Sequence, residues 1–489
     1  MKKFIFICCI LLFATPSLAK DVNFTFVQIN DVYEIAPVNG GEHGGLARVQ
    51  TLVNQLKQKN KHTYTVLAGD FISPSAIGTA KIDGKRLHGE QIVNVFNEMH
   101  LDYATLGNHE FDLGKPVLIQ RLNEMTFKMV SSNVLEKSTN KPLKNTVTSD
   151  ILTIEGVKIG IAGLTLPTPK KDFLEITPPL KEAEYIIKEL KKQGADILIF
   201  ITHQSFADDE YLAKAYPEID LIIGGHEHEN IYVRRGENLT PIAKADANAR
   251  SAYIHKLSYN TEDKSLNVDS LLQPIDSRIP EDPRIKNVVD SWINKAFNAF
   301  RDDGFNPNRI ITHTKDALDG LEANVRNQAT LLTKLIENSA YHAYPDAELS
   351  LVNSGSIRID DTIPAGPISE YDVIRILPFG GNYEQFGIPG DILEHALNVG
   401  LQNKGTGGFL LHGNAHYINN SWHINGEKID PKHNYKTVSS TFLLTRGDKN
   451  LEFLVNNDRI RKLSTTPVDV RKALISELKA VYPPENIQP

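Results

Sequence analysis

The sequence predicts an α/β protein, built as an α+β sandwich and divided into two domains. Strand-like apolar runs alternate with amphipathic stretches from Val22 to about Asp276, as in a layered α/β fold. The same alternation resumes near residue 308, and 489 residues are too many for one core at ~150 residues per domain. We therefore expect domains over residues 22–276 and 308–489, joined by a helix over residues 280–304.

Residues 1–19 predict a cleaved signal peptide. Two lysines precede the apolar run Phe4–Phe13, which is too short to span a membrane, and Ser17–Ala19 offers small residues at the cleavage positions. Both cysteines, Cys8 and Cys9, lie in this segment. The mature chain would therefore have no thiol or disulfide, and we expect it to be periplasmic or extracellular without a membrane anchor.

The composition is that of an ordinary globular protein, with 41% apolar and 23% charged residues. The formal net charge of −7 lacks the basic excess on which nucleic acid binding depends. We therefore expect no nucleic acid polymer among the partners of this chain.

Polar residues follow the predicted strands of the first domain. The strand ends to consider are Phe24–Ile29 before Asp31, Tyr64–Ala68 before Asp70, Leu101–Thr105 before Asn108, Ile197–Thr202 before His203, and Ile219–Ile223 before His226 and His228. Ligands in open α/β sheets gather at this carboxyl edge. A helix rich in apolar positions is expected after Gly44-Gly45, from Leu46 onward.

These strand-end residues form a candidate metal-binding set of carboxylates, an amide and imidazoles: Asp31, Asp70, Asn108, His203, His226 and His228. Such a set suits borderline divalent ions such as Zn²⁺, Mn²⁺, Fe²⁺ or Co²⁺. A Gly-Asp pair after a strand is usually a simple turn, and HEH can be an exposed polar turn. The occurrence of five such motifs in order, each at a strand end, favours the metal site.

The second region begins after a predicted joining helix, Pro280–Asp303, with apolar residues at helical spacing. A helix over Ala323–Tyr344 and a strand over Leu349–Val352 follow it.

The ordered motifs resemble the calcineurin-like metallophosphoesterases, and specifically the secreted 5'-nucleotidase family, over nearly the whole mature chain. The resemblance implies an N-terminal calcineurin-like metallophosphoesterase domain, a linker helix and a C-terminal 5'-nucleotidase α/β domain. It also implies two divalent ions, whether Zn, Mn, Co or Fe, that share Asp70. One ion would take Asp31 and His228, and the other would take Asn108, His203 and His226.

The resemblance further implies a phosphohydrolase that releases phosphate from nucleoside 5'-phosphates by attack of metal-bound hydroxide. His109 would act on the phosphate and the leaving oxygen, and Asp112 would orient His109, although Asp112 could instead cap a helix. We expect a nucleotide substrate and a monomeric protein.

One position departs from the family pattern. Tyr33 stands where the family has a histidine ligand, and a phenol with a pKa of ~10 binds divalent ions poorly at neutral pH. Tyr33 could leave a weaker but occupied site, bind a more acidic ion as phenolate, or pack nearby. His43, in the following loop, is a possible replacement.

Substrate selection is expected in the second domain, where three motifs resemble the family. They imply that Arg358 contacts phosphate, that Phe409 and Phe442 stack on the base, and that Asp448 contacts the nucleoside. Each Phe has the plainer interpretation of a core residue. Family glycines are replaced by Ser354, Ser356, Arg446 and Lys449, which predicts a bulkier, more basic pocket.

Two alternatives about activity stay open, and the resemblance also implies a domain motion. A phosphodiesterase or nucleotide pyrophosphatase acting on cyclic nucleotides or UDP-sugars would use the same metal core. The loss of the histidine at Tyr33 could instead leave a catalytically weakened nucleotide-binding protein. The family's domain rotation would place a hinge near Trp292.

Overall fold

The computed structural model of the chain describes residues 20–167 and 171–483, so the expected signal peptide lies outside the described residues. The N-terminal domain contains two mixed sheets of seven and six strands. Across the first sheet the strands run Thr146–Val147, Lys128–Val130, Tyr103–Ala104, Thr63–Leu67, Asp21–Ile29, Ser251–Asn260 and Leu266–Pro274. Across the second sheet they run Ser149–Ile154, Val157–Thr165, Ile197–His203, Leu221–Gly224, Thr240–Lys244 and Ile231–Arg235.

The two sheets face each other across one apolar layer. Phe24 and Phe26 from the first sheet pack in the same cluster as Ile159, Ile199 and Ile201 from the second, and all five are buried. Helices cover the outer faces, namely Leu46–Lys59, Glu90–Glu98, Gly114–Glu124, Pro179–Lys192 and Phe206–Ala215. The expected α/β sandwich is therefore confirmed, with helices outside and two sheets inside.

A helix over Pro283–Asp302 follows the sandwich. The Asp282 side chain caps it by accepting hydrogen bonds from the first backbone N–H groups. Its apolar face joins the N-terminal core, and Trp292 Nε1 donates a hydrogen bond to Asn94 Oδ1 at 2.8 Å. Trp292 therefore packs in the N-terminal core, and the hinge expected near it stays a prediction.

The C-terminal domain is built on a mixed sheet of six strands. Its strands run in the order Leu410–Leu411, Leu349–Asn353, Asn434–Ser440, Asn382–Pro389 and Arg461–Lys462, with Val468–Asp469 also pairing with Asn382–Pro389. Its helices are Glu322–Val325, Leu331–Tyr341, Glu370–Ile376, Gly390–Gln402, Thr441–Thr445 and Val470–Val481.

The single helix expected over Ala323–Tyr344 is wrong, because the structure has two helices there. Thr330 starts the second with a capping box, in which its side chain accepts from Thr333 N and the Thr333 side chain accepts from Thr330 N. The local cap therefore interrupts an otherwise helical pattern.

Short elements complete the described residues. The remaining strands are Pro37–Val38, His43–Gly44, Lys81–Ile82, Lys85–Arg86, Val134–Glu136, Lys141–Pro142, Leu174–Ile176, Ile310–Thr314, Leu318–Asp319, Thr362–Ile363, Gly366–Ser369, Ala415–Ile418, Ser421–Ile424 and Glu427–Lys428. The 3₁₀ helices are Asn39–Gly41, Ile77–Thr79, His109–Phe111, Ser354–Ser356 and Glu452–Leu454. Within the described ranges, no helix has the length and apolarity that crossing a bilayer requires.

Candidate metal centre and substrate cleft

The loops that carry the predicted metal ligands follow strand ends in both sheets of the N-terminal domain. Four of these ligands have backbone φ angles between 52° and 93°, namely Asp31, Asp70, His228 and His226. Residues other than glycine rarely adopt this left-handed conformation, and such residues concentrate at binding and catalytic sites. The backbone at these loops is therefore shaped for the site at an energetic cost.

Buried ligand atoms converge at this edge. Asp31, Asp70 and His203 each place a ligand atom within 4.8 Å of the others. His203 Nε2 lies 3.1 Å from Asp70 Oδ2 and 3.9 Å from Asp31 Oδ1. Asp31 Oδ1, Asn108 Oδ1 and His203 Nε2 have no hydrogen-bond partner among the described residues. Because buried polar atoms are nearly always paired, this donor set fits a divalent cation.

The His203 ring is held by the backbone. Its Nδ1 lies 2.8 Å from Ala68 O, which can only accept, so Nδ1 donates and Nε2 is left for the site. Burial favours the neutral ring, but the nearby carboxylates of Asp70 and Asp31 raise the pKa of His203 to about 9. The same two carboxylates would attract a metal cation to this position.

The two histidines of the GGHEHE block lie near different members of this cluster. The His226 and His203 ring centroids are 5.3 Å apart, and burial, followed by the charge on His203, lowers the pKa of His226 to about 3. His226 is therefore neutral, as a metal ligand must be. His228 Nε2 instead lies 3.4 Å from Asp31 Oδ1.

Tyr33 lies at the centre of the predicted first metal position. Its hydroxyl is 3.2 Å from Asp70 Oδ2 and 3.1 Å from His228 Nε2. Burial, followed by the negative charge of Asp70, raises the pKa of Tyr33 well above its ordinary value. The phenol is therefore neutral here and donates to the Asp70 carboxylate. His43, the possible replacement, lies in the short strand His43–Gly44 and bridges to the backbone of Asp276.

His109 and Asp112 form the pair that the sequence predicts. His109 Nδ1 lies 2.6 Å from Asp112 Oδ2, so the carboxylate orients the ring. The His109 backbone N–H donates to Asp70 Oδ1 at 2.8 Å. Asp112 is not the N-cap of the next helix, because Leu113 takes that position before Gly114–Glu124. The capping alternative for Asp112 is therefore wrong.

Glu110 connects two ligand loops. Its buried carboxylate accepts backbone N–H groups from Asp70, Phe71 and Ile72 at 2.8 to 3.1 Å, and from Gly107 at 2.6 Å. Burial, followed by the charge of Asp70, raises the pKa of Glu110 to about 7. The glutamate thus fixes the spacing between the loops of Asp70 and Asn108.

A second support was not predicted from the sequence. Lys244 is fully buried, and its Nζ donates to the backbone carbonyls of Gln204 and Gly225 at 2.7 and 2.8 Å. It also pairs with Asp209 at 2.9 Å and with Glu227 at 2.5 Å. One cation therefore connects the loop after His203 to the loop of His226 and His228. The signal in the sequence that could have indicated this support is a lysine at the end of a short, mostly apolar strand, Thr240–Lys244.

Two glycines allow the loops to approach. A Cβ at Gly225 would lie 2.3 Å from Ala68 O, and one at Gly107 would lie 2.1 Å from Asp70 Oδ1. Any larger residue would push these loops apart. The structure thus brings the Asp70, Asn108, His203 and His226 loops together.

The three C-terminal motifs also meet. Ser354 N donates to Phe409 O at 2.8 Å, which joins the NSGSIR and GGFLLHG segments. Asp448 Oδ2 accepts from Asn353 Nδ2 at 2.8 Å. The two aromatic candidates differ, because Phe409 is 8% exposed in an apolar cluster whereas Phe442 is 49% exposed.

The serines that replace family glycines turn inward. Ser356 Oγ donates to Asn353 O at 2.8 Å, and Ser354 Oγ lies 3.3 Å from the carbonyls of Thr406 and Gly407. The basic replacements Arg446 and Lys449 are exposed.

One cleft contains residues from both domains. Tyr33, Pro74 and His228 line it from the N-terminal domain, and the C-terminal lining is Gly320, Glu322, Ile357, Arg358 and Asp360. The Arg358 guanidinium lies 5.5 Å from the centroid of the exposed Phe379 ring. The predicted phosphate-binding arginine therefore shares a cleft with the predicted first metal position.

Two family models match successive parts of the chain. The calcineurin-like phosphoesterase family matches residues 24–230, which contain all six predicted metal ligands. The family of the 5'-nucleotidase C-terminal domain matches residues 310–455, which contain Arg358, Phe409, Phe442 and Asp448.

Relatives named 5'-nucleotidase align with most of the chain. A 5'-nucleotidase of Bos taurus is 25% identical over 90% of this chain and 84% of its own, and one of Vibrio cholerae is 27% identical over 73% and 72%. The crystal structure of a 5'-nucleotidase precursor from Thermus thermophilus has a TM-score of 0.76 at 20% identity, and covers 94% of this chain and 97% of its own. This last similarity concerns the fold alone.

Proposed function

The chain belongs to the 5'-nucleotidase family of calcineurin-like phosphoesterases and is a metal-dependent phosphoester hydrolase, and on that premise we propose that it is an exported dinuclear nucleotidase. Its proposed reaction is the release of phosphate from nucleoside 5'-phosphates. Convergence of buried ligand atoms from Asp31, Asp70 and His203 is the observation that carries this proposal.

We assign the predicted ligands to two positions that share Asp70. Asp31 and His228 complete one, and Asn108, His203 and His226 complete the other. Two divalent ions bound there would supply an activated water and would neutralise charge on the phosphoryl oxygens. The proposal is supported by the 3.4 Å separation of His228 and Asp31 and by the 3.1 Å separation of His203 and Asp70.

The roles of the other site residues follow from their contacts. His109, oriented by Asp112, would stabilise phosphoryl charge and give a proton to the leaving oxygen from Nε2. Arg358 would bind the phosphate from the opposite wall of the cleft. Phe409 and Phe442 would hold the base, and Asp448 would accept from the nucleoside. The family relationship supports this substrate class.

Metal analysis tests the dinuclear assignment. The purified mature protein, loaded with Mn²⁺ or Zn²⁺ and dialysed, should contain close to two ions per chain by mass spectrometry of the elements. Removal of the ions with EDTA should abolish phosphate release, and added metal should restore it. One ion or fewer per chain at full activity would refute the dinuclear mechanism.

Substrate profiling tests the reaction. Phosphate release should be faster from AMP than from 2',3'-cyclic AMP or UDP-glucose, with ATP measured alongside. Faster cleavage of the cyclic nucleotide or of UDP-glucose would instead support the phosphodiesterase or pyrophosphatase alternative on the same metal core. No hydrolysis of any of these compounds by the metal-loaded protein would favour a catalytically weakened nucleotide-binding protein.

Export is tested separately. The apolar run Phe4–Phe13 supports a signal peptide. Expression of the complete chain in a Gram-negative host should yield a periplasmic protein whose N-terminal sequence begins at Lys20. A cytoplasmic protein that retains Met1 would contradict export without bearing on the catalytic proposal.

A further inference from the structure

A carboxylate of the C-terminal domain contacts a histidine of the metal centre in the N-terminal domain. Asp360 Oδ2 lies 2.8 Å from His228 Nδ1, and the two side chains are 8% and 11% exposed. The other oxygen, Asp360 Oδ1, accepts a hydrogen bond from Glu322 N at 2.8 Å. The carboxylate is therefore held in place by its own domain while it reaches across the cleft.

This contact decides which ring nitrogen of His228 is free. A carboxylate can only accept, so Nδ1 donates to Asp360 and Nε2 is the ring nitrogen left facing the site. Nε2 lies 3.4 Å from Asp31 Oδ1 and 3.1 Å from the Tyr33 hydroxyl, within the first predicted metal position. A carboxylate on the far nitrogen of the ring is the usual device that orients a metal-binding histidine.

We propose that Asp360 is a positioning residue for the metal ligand His228, so that metal binding and the arrangement of the two domains are coupled. The inference rests on the proposed function, because it takes His228 as a ligand. An ion held by a correctly oriented His228 favours the arrangement in which Asp360 reaches that ring. By reciprocity, this domain arrangement strengthens the binding of the ion by the same factor.

The neighbouring Asp361 offers a matched comparison. It also crosses between the domains, since its Oδ2 accepts from Asn39 N at 3.1 Å and pairs with Arg375 of its own domain at 2.5 Å. These contacts involve none of the predicted metal ligands. Asp361→Asn therefore removes a neighbouring carboxylate charge without touching His228, and the amide oxygen of the new side chain can still accept from Asn39 N across the interface.

Calorimetric titration of metal-free full-length mature protein with Mn²⁺ tests the proposal. The wild type should bind two ions, and Asp360→Asn should weaken one of them ~10–100-fold and leave the other unchanged. Asp361→Asn should bind both ions within about twofold of the wild type because it leaves His228 oriented. Equal affinities in wild type and Asp360→Asn, or equal losses in both variants, would overturn the positioning role.

Failure of the proposed function gives a different result, because the wild type itself would then bind fewer than two ions. Circular dichroism and thermal melting of each metal-free variant establish that it is folded. Asp360→Glu provides a second variant, and partial recovery of affinity is expected because the charge is retained on a longer side chain. If Asp360→Glu binds Mn²⁺ no more tightly than a folded Asp360→Asn, the result would count against the positioning role of Asp360.

A fluorescence measurement tests the coupling. The mature chain has no cysteine, so dyes can be attached at Lys188→Cys and Lys428→Cys, which lie at exposed positions of different domains. Titration with Mn²⁺ should change energy transfer between the dyes in the wild type. In Asp360→Asn the midpoint of this change should move to a Mn²⁺ concentration ~10–100-fold higher. An unchanged midpoint would overturn the coupling.

Discussion

The proposed metal side of the site, formed by the candidate ligands, and its proposed nucleoside side, formed by Phe409 and Phe442, differ in how exposed their side chains are. On the metal side, Asp31, Asp70 and His203 are 0 to 1% exposed, and each is oriented by backbone or side-chain hydrogen bonds. On the nucleoside side, Phe442 is 49% exposed, whereas Phe409 is enclosed in the domain core, so only Phe442 is free to adjust to a base.

This difference corresponds to the chemistry expected of each side. Ligand groups that stabilise charge are effective only when they are fixed before the reaction, because reorganisation costs free energy. Stacking on a base tolerates variation in position, since every base presents a flat face. We therefore expect substitutions on the metal side to be severe and those on the nucleoside side to be graded.

The largest effect is expected for Asp70→Asn, which removes the carboxylate common to both metal positions. Loss of several kcal/mol of charge stabilisation should lower kcat/KM by ~10³-fold or more, for AMP and for p-nitrophenyl phosphate alike. Metal content should fall as well. Asp102→Asn is the control, because Asp102 accepts from Thr65 N at the opposite end of the same sheet and should leave activity intact. If Asp70→Asn still bound two ions and stayed active, the proposal that Asp70 is shared by both metal positions would be refuted.

The next effect is expected for His109→Ala, with kcat lowered ~10²–10⁴-fold. Metal content should stay at the wild-type value, because the contact from this residue to Asp70 uses the backbone N–H, which alanine retains. Asp112→Asn should show a smaller loss, since it alters only the orientation of the ring. Loss of metal in His109→Ala would mean that His109 is a ligand and has been given the wrong role.

Phe442→Ala should have an intermediate effect confined to nucleotides. Loss of ~1–3 kcal/mol of stacking corresponds to a decrease of ~5–150-fold in kcat/KM for AMP, with p-nitrophenyl phosphate unaffected. Tyr417→Ala is a matched control, because Tyr417 is 48% exposed in the same domain. Phe409 is less suitable, since its removal from the core should also destabilise the fold by ~3–5 kcal/mol. Equal losses on both substrates would refute stacking by Phe442.

The sequence predicts the metal side well because its residues occur in short motifs directly after strands. Parallel strands bring such positions to one edge, so Asp31, Asp70 and His203 could be placed together without knowledge of the packing. Their proximity in the structure follows from the register of two sheets.

The sequence does not reveal contacts between distant segments that share no motif. Lys244 is the last residue of a short buried strand, and Asp360 lies in another domain from the histidine that it contacts. Helix boundaries were missed for a different reason, because the Thr330 cap stops a helical pattern through two local hydrogen bonds. Such choices depend on individual side-chain contacts, which periodicity does not encode.

Tyr33 is the exception on the metal side. It stands where the family has a histidine ligand, and its phenol is neutral in this environment. Its hydroxyl donates to Asp70 Oδ2 at 3.2 Å, so it occupies a lone pair that an ion would otherwise use. The first position, with Asp31 and His228, should therefore bind its ion more weakly than the second, with Asn108 and His203.

The smallest effects are expected at this position. Tyr33→Phe should keep two ions per chain and change kcat by no more than about threefold, because a neutral phenol contributes little to binding a divalent ion. Tyr33→His should tighten the weaker ion about tenfold by adding an imidazole ligand. Mn²⁺ titration calorimetry of both variants and the wild type distinguishes these expectations. If Tyr33→Phe loses an ion, the phenol oxygen is itself a ligand, and the contrast between the two metal positions disappears.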